Sequence, residues 1–258
     1  MMSDSKRRIL ITGAGSGLGR GLGLWLAGRG HAIIVTDLQP EGAHETATQI
    51  RAAGGEAEAH ALDVSSEPDV ERFAALVSGR SVDVLINNAG LQYVARVDEY
   101  PVAKWDLLMS VIVRGSFLMT RAVLPGMRAH GFGRIIHLGS IHSLIASPFK
   151  SAYTAAKHAL LGFSKAVALE TGDVDITSNT ICPAYIRTPL VDAQIAEQAR
   201  THQILEDEVI QRIMLEPMPK KAFITIEEVA AAIEYLISPF ARNITGQTLT
   251  IDGGWTAR

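Results

Sequence analysis

The chain has 258 residues, 47% of them hydrophobic and 20% charged, with 24 basic against 27 acidic side chains and a formal net charge of −3. Such a length supports one sizeable α/β domain, the composition excludes a disordered chain, and the charge balance leaves no electrostatic footprint for nucleic acid or an acidic membrane surface. The one cysteine, Cys182, permits no internal disulfide and reads as a buried structural thiol closing an apolar strand.

In chain order, residues 8–12 read as a short buried strand, followed at once by Thr12-Gly-Ala-Gly-Ser-Gly-Leu-Gly19 and an apolar helix over 18–29. A strand, a glycine-rich turn and a helix start make a phosphate site, because glycine admits positive φ and close approach while the helix N–H groups face the negative charge. Gly13, Ser16, Gly17, Leu18 and Gly19 are the candidate contacts; the spacing is Gly-x-x-x-Gly-x-Gly, with Gly15 as an extra. A second strand over 32–36 ends at Asp37, placed to accept from a ribose 2′-hydroxyl and to repel a 2′-phosphate. That predicts NAD rather than NADP. A helix over 41–53, a strand over 56–62 and a helix over 67–78 follow. Asp63 and Val64 stand just past the third strand, and a fourth strand over 82–86 runs into Asn87-Asn-Ala-Gly90. Ligands of open α/β sheets bind at such strand ends, so Asp63, Val64, Asn87, Ala89 and Gly90 join the candidate cofactor set.

A helix over 103–129 and a strand over 134–139 lead to Ser140. Thirteen residues further on, within a helix over 152–171, comes Ser151-Ala-Tyr-Thr-Ala-Ala-Lys157. Positions i and i+4 share a helix face, so Lys157 lies beside Tyr153, where its charge favours the phenolate. Tyr153 is the candidate general acid/base. A strand over 176–182, amphipathic stretches over 188–218 (Leu190, Val191 and Ile195, then Ile204 to Ile213), a helix over 226–237 and a strand over 248–251 complete the chain. The alternation predicts a single-domain α/β fold: a doubly wound parallel sheet of about seven strands with helices on both faces. The segment 188–218 interrupts it and is expected to form a helical lid over the substrate.

Thr12-Gly-x-x-x-Gly-x-Gly19, Asn87-Asn-Ala-Gly90, Ser140, Tyr153-x-x-x-Lys157 and Pro183-Ala-Tyr-Ile-Arg-Thr188 stand in the order found in the short-chain dehydrogenase/reductase family, which the chain resembles from the first strand to Asp252-Gly-Gly254. The resemblance implies a Rossmann-type fold and hydride transfer with a nicotinamide. It assigns substrate positioning to Ser140, proton transfer to Tyr153, and cofactor-ribose binding with lowering of the tyrosine pKa to Lys157. Pro183, Ile186 and Thr188 would line the nicotinamide end, and a homotetramer is expected.

Gln92, His142, Lys150 and Gln194 bring an ammonium, an imidazole and two amides toward the reacting hydroxyl, a set suited to a carboxylate. With Ser140, Tyr153, Tyr185 and Trp255 they are the candidate substrate residues. They resemble those of family members that reversibly oxidise D-3-hydroxybutyrate to acetoacetate, an activity of ketone-body metabolism. Oxidation of another small hydroxy acid or alcohol is the alternative, and a non-enzymatic NAD-binding regulator a third reading. Two positions depart from the pattern: Ile112 stands where members usually carry asparagine, and Tyr185 where the hydroxybutyrate-oxidising members tend to carry tryptophan. No metal is expected. Residues 1–8 are polar and basic, and the apolar stretch after them is broken by Gly13, too short for a signal-peptide core. No run of roughly 20 apolar residues is expected to span a membrane. A cytoplasmic enzyme without membrane or nucleic-acid partners is the expectation.

Overall fold

The computed structural model describes residues 6–77 and 81–257. Seven strands form one all-parallel sheet: β1 (Arg8–Thr12), β2 (Ala32–Asp37), β3 (Glu56–Ala61), β4 (Val84–Asn87), β5 (Phe132–Leu138), β6 (Asp175–Pro183) and β7 (Thr248–Ile251). Their order is β3-β2-β1-β4-β5-β6-β7, with Thr12 opposite Thr36 and Ile11 opposite Ile86. The central strands are apolar on both faces, as a sheet covered twice demands. Ile9, Ile11, Ile33, Val35, Val84 and Ile86 point to one side, where α1 (Gly17–Gly28), α2 (Pro40–Ala52) and α9 (Ile226–Ile237) contribute Leu22, Leu26, Ile50 and Ile233. Leu10, Ile34, Leu85 and Ile135 point to the other. There α3 (Glu67–Val77), α5 (Gly115–His130) and α6 (Ser151–Glu170) pack Phe73, Met119, Val123 and Val167 against them. Burying each such side chain contributes about 1.5–3 kcal/mol against chain entropy. The predicted fold class and the strand and helix order agree with this architecture. Ser78, at the end of the expected third helix, lies outside the described residues.

Two expectations change. The single helix expected over 103–129 has three parts: α4 (Val102–Leu108), a π-helical turn Met109–Arg114, and α5. The Ser116 hydroxyl donates to the Ile112 carbonyl at 2.7 Å, giving this carbonyl a side-chain partner beside the widened turn. The stretch Val102–His130 is also long and apolar enough, by length and composition, to cross a membrane, which the sequence reading did not anticipate. In the fold its apolar side is spent on the protein itself, with Leu108, Ile112, Leu118, Met119 and Met127 all buried.

Between β1 and β4 the strand order reverses direction, and the crevice outside the carboxyl ends of the strands opens there. The segment beyond β6 forms α7 (Pro189–His202), α8 (Glu206–Val209) and a π-helical turn Ile210–Met214. Val191, Ile195, Val209 and Met214 bury a small core of their own, joined by Tyr185 and Phe223. The side chain of Leu190 lies outside the described residues.

Candidate active site

A cleft of about 550 Å³ lies over the carboxyl ends of the strands and runs from the β1–α1 turn to the start of α7. Its first wall is backbone. Gly13 and Gly17 have φ of +62° and +52°, values that glycine adopts without strain. A Cβ on Gly13 would lie 2.9 Å from Ala89 Cα, and one on Gly15 2.8 Å from the Asp37 carboxylate. Thr12 ties this turn to β4: its hydroxyl accepts from the N–H groups of Asn88 and Ala89, both at 3.0 Å. The Asn88 amide donates to the carbonyls of Thr12 (2.8 Å) and Gly13 (3.0 Å). Asp37 lines the cleft and accepts from Gly15 N–H (2.8 Å) and Gln39 N–H (3.0 Å). A turn that side chains would fill, the N-terminus of α1 and a carboxylate at the end of β2 fit a dinucleotide: pyrophosphate against the turn, ribose diol against Asp37.

At the other end of the cleft stand Ser140, Tyr153 and Lys157. Ser140 follows β5, and its hydroxyl accepts from His142 N–H (3.2 Å) while its own N–H donates to the Ser143 hydroxyl (3.1 Å), a reciprocal cap that fixes the turn. Tyr153 and Lys157 share the face of α6 that meets this turn. The Lys157 ammonium is buried, donates to the Leu138 carbonyl at 2.5 Å and lies 5.6 Å from the centre of the Tyr153 ring. Burial lowers the Lys157 pKa to about 8. Burial also pushes the Tyr153 phenol up, opposed by its hydrogen bond to Ser140. The two side chains thus lie side by side as the helical spacing predicts, with the ammonium fixed by the Leu138 carbonyl.

The substrate end gathers aromatic and basic side chains. His142 meets Tyr153 edge-on at 6.0 Å and Trp255 at 6.4 Å, and Tyr185 lies against Trp255 at 5.8 Å. The Lys150 ammonium sits 5.6 Å over the Tyr185 ring, and burial lowers its pKa. Trp255 is held by the turn after β7, where the Asp252 carboxylate accepts from the N–H groups of Gly254 (2.9 Å) and Thr256 (2.7 Å). Lys150, Tyr185, Trp255, His142 and Tyr153 thus form one chain of contacts.

His142 is not free to act as the expected carboxylate donor. Its Nδ1 faces the Ser140 hydroxyl at 3.4 Å and its Nε2 the Ser147 hydroxyl at 2.8 Å. Burial, with Lys150 and His158 nearby, lowers its pKa to about 4, so the ring is neutral. Gln92 carries a buried amide Nε2 that has no hydrogen-bond partner among the described residues. Gln194 is half-buried on α7 and, among the described residues, enters none of the contacts that join the other substrate residues.

Of the expected cofactor residues, Gly13, Ser16, Gly17, Leu18, Gly19, Asp37, Asp63, Val64, Ala89, Gly90, Pro183, Ile186 and Thr188 line the cleft with Tyr153 and Lys157. The Asn87 side chain does not: its amide reaches Thr120 (3.4 Å) and His137 (3.3 Å) in the protein interior. Side chains alternate along a strand, and this one falls on the inward side. Asn88 takes the place at the cleft. There its amide braces the glycine-rich turn, a role the motif does not signal, since sequence spacing does not tell which of two adjacent side chains turns inward. Leu91, Leu107 and Val111 add an apolar wall that no motif signalled.

A dinucleotide crevice that ends at a serine, a tyrosine and a lysine defines a class of nicotinamide oxidoreductases. Comparison agrees. The family described as enoyl-(acyl carrier protein) reductase matches residues 13–256. The chain is 42% identical to the D-beta-hydroxybutyrate dehydrogenase of Rhizobium meliloti (strain 1021), over 96% of this chain and 98% of that one. It is 37% identical to the D-beta-hydroxybutyrate dehydrogenase of Cupriavidus necator, over 96% and 97%. It is also 35% identical to the 2-(R)-hydroxypropyl-CoM dehydrogenase of Xanthobacter autotrophicus, over 97% and 99%. The chain belongs to the short-chain dehydrogenase/reductase family.

Proposed function

We propose that this protein is an NAD-dependent dehydrogenase that reversibly oxidises D-3-hydroxybutyrate to acetoacetate. One observation carries the substrate: a half-buried ammonium, Lys150, stands on the Tyr185 ring in the same chain of contacts as Tyr153. A cation at that point favours a short anion whose hydroxyl reaches Tyr153 while its carboxylate meets Lys150. The unpaired Gln92 amide is a second donor for it. The names of the two hydroxybutyrate-oxidising relatives support the same substrate.

The β1–α1 turn, Asp37, Lys157 and Thr188 would hold NAD, which would supply the hydride acceptor when bound. The chain's own residues do the rest. Ser140 holds the substrate oxygen beside Tyr153, and Tyr153 takes the hydroxyl proton as the carbonyl forms. The Lys157 charge, fixed by the Leu138 carbonyl, stabilises the phenolate needed at the start of each oxidation. The helices of the 188–218 segment are read as a lid that closes the pocket against water, and a homotetramer as the assembly. An NADH absorbance assay over short 2- and 3-hydroxy acids, both enantiomers, and neutral secondary alcohols tests the reading. D-3-hydroxybutyrate should give the highest kcat/KM; a neutral alcohol or a 2-hydroxy acid ahead of it refutes the assignment.

A further inference from the structure

We infer that Phe149 is a positioning residue for the substrate: its backbone, left-handed and bonded to the N–H of Ala95, bridges the two loops that carry Gln92 and Lys150 and so fixes the distance between the two carboxylate donors. The inference rests on the functional reading above and adds what sets the spacing of those donors.

Phe149 has a φ of +67°. A bulky side chain rarely accompanies that conformation, and such strain persists only where the surroundings over-determine it. The ring does not supply the reason, since Phe149 is 54% exposed. The backbone does. The Phe149 carbonyl accepts from Ala95 N–H at 3.0 Å. On one side of it the Ser147 hydroxyl meets His142 Nε2 at 2.8 Å, and on the other the Lys150 carbonyl accepts from Thr154 N–H at 2.8 Å as α6 begins. Pro148 stands between these anchors with its φ fixed by the ring, so the change of chain direction falls on Phe149.

The two donors come from different connections. Gln92 stands three residues before Ala95, between β4 and α4, and its buried amide Nε2 has no hydrogen-bond partner among the described residues. Lys150 directly follows Phe149, between β5 and α6, and its ammonium rests 5.6 Å over the Tyr185 ring. Among the described residues, the bond from Ala95 N–H to the Phe149 carbonyl is the one hydrogen bond that joins residues 91–100 to residues 140–150. Packing does not replace it, because residues 95–98 and 144–149 line an open cavity of about 900 Å³. A carboxylate that takes one bond from Gln92 and one from Lys150 needs both at the right separation, and a shift of either loop by about 1 Å breaks one of them. The mark of this role is an effect on the acid that a neutral alcohol does not feel.

Variants at Phe149 and Ala95 test this by steady-state NADH kinetics with D-3-hydroxybutyrate, 2-butanol and NAD. Isoleucine, branched at Cβ, resists the left-handed region, whereas asparagine and glycine enter it readily. Phe149→Ile should raise KM for D-3-hydroxybutyrate about tenfold or more, the low end for a lost charge-assisted hydrogen bond, while KM for NAD and kcat/KM for 2-butanol hold. Phe149→Asn and Phe149→Gly should follow the wild type. Ala95→Pro removes the N–H donor and should reproduce the loss, and the two changes combined should cost no more than either alone, since both break one contact. A ring that served only to pack predicts the reverse order, with isoleucine mildest and glycine worst. That order overturns the inference, as does an unchanged KM in Phe149→Ile or an equal loss for the acid and the alcohol. If Phe149→Ile fails to fold, Phe149→Asn and Ala95→Pro decide: the first must keep KM and the second must raise it. A wild type that prefers 2-butanol to D-3-hydroxybutyrate refutes the functional reading, and the inference with it; in every case above the wild type prefers the acid.

Discussion

Replacing Lys150 with alanine removes the cation that stands on the Tyr185 ring at the substrate end of the site and leaves the dinucleotide cleft untouched, since Lys150 does not line it. Two unit charges ~4 Å apart attract by about 4 kcal/mol at the effective dielectric of a protein surface. Part of that attraction is lost to desolvating the ammonium, a cost already visible in the lowered Lys150 pKa. A charge-assisted hydrogen bond retains about 1.5–3 kcal/mol net, so kcat/KM for D-3-hydroxybutyrate should fall roughly tenfold to 150-fold. KM for NAD should hold, and so should kcat/KM for 2-butanol, which never meets the charge. Tyr185→Phe, which keeps the ring beneath the ammonium, should cost far less than Lys150→Ala. Steady-state NADH kinetics on the two variants and two substrates decide the matter. An equal loss for the acid and the neutral alcohol, or no loss for the acid, refutes a carboxylate held by Lys150.

Three further outcomes are expected. Wild-type kcat/KM should favour NAD strongly over NADP, and Asp37→Ala should narrow the gap by about tenfold or more, because it removes a carboxylate facing the 2′-position; comparable wild-type efficiencies contradict this. Tyr153→Phe should reduce turnover by about 10²-fold or more with NAD binding near wild type by fluorescence titration, since only the hydroxyl is lost. His137, buried on β5 with its pKa lowered to about 3 by burial and by Lys157, stays neutral when folded but protonates when unfolded below pH 6.5. The unfolded state then binds more protons, so stability is full above pH 6.5 and is lost as pH falls toward 3. His137→Asn should shrink the loss between pH 7 and pH 5 by about 2 kcal/mol in urea unfolding; an unchanged slope rejects the linkage.

The order of strands and helices was legible in the sequence because each element carries its own period and its own punctuation. β1, β2 and β4 are short apolar runs, Gly13 to Gly19 mark the turn, and Tyr153 and Lys157 lie one helical turn apart whatever surrounds them. The cofactor end was legible for the same reason, since its contacts come from strand ends and one glycine-rich turn. What the tertiary structure alone decided is which way side chains face and what competes for them. It turned Asn87 inward and set Asn88 at the cleft. It gave the Lys157 ammonium to the Leu138 carbonyl, and it spent both nitrogens of His142 on Ser140 and Ser147. It also widened the helix at Ile112, where the spacing alone allowed a regular turn. Local pattern fixes an element's type, but burial and hydrogen-bond pairing depend on residues far apart in the chain, which meet only when the sheet is assembled.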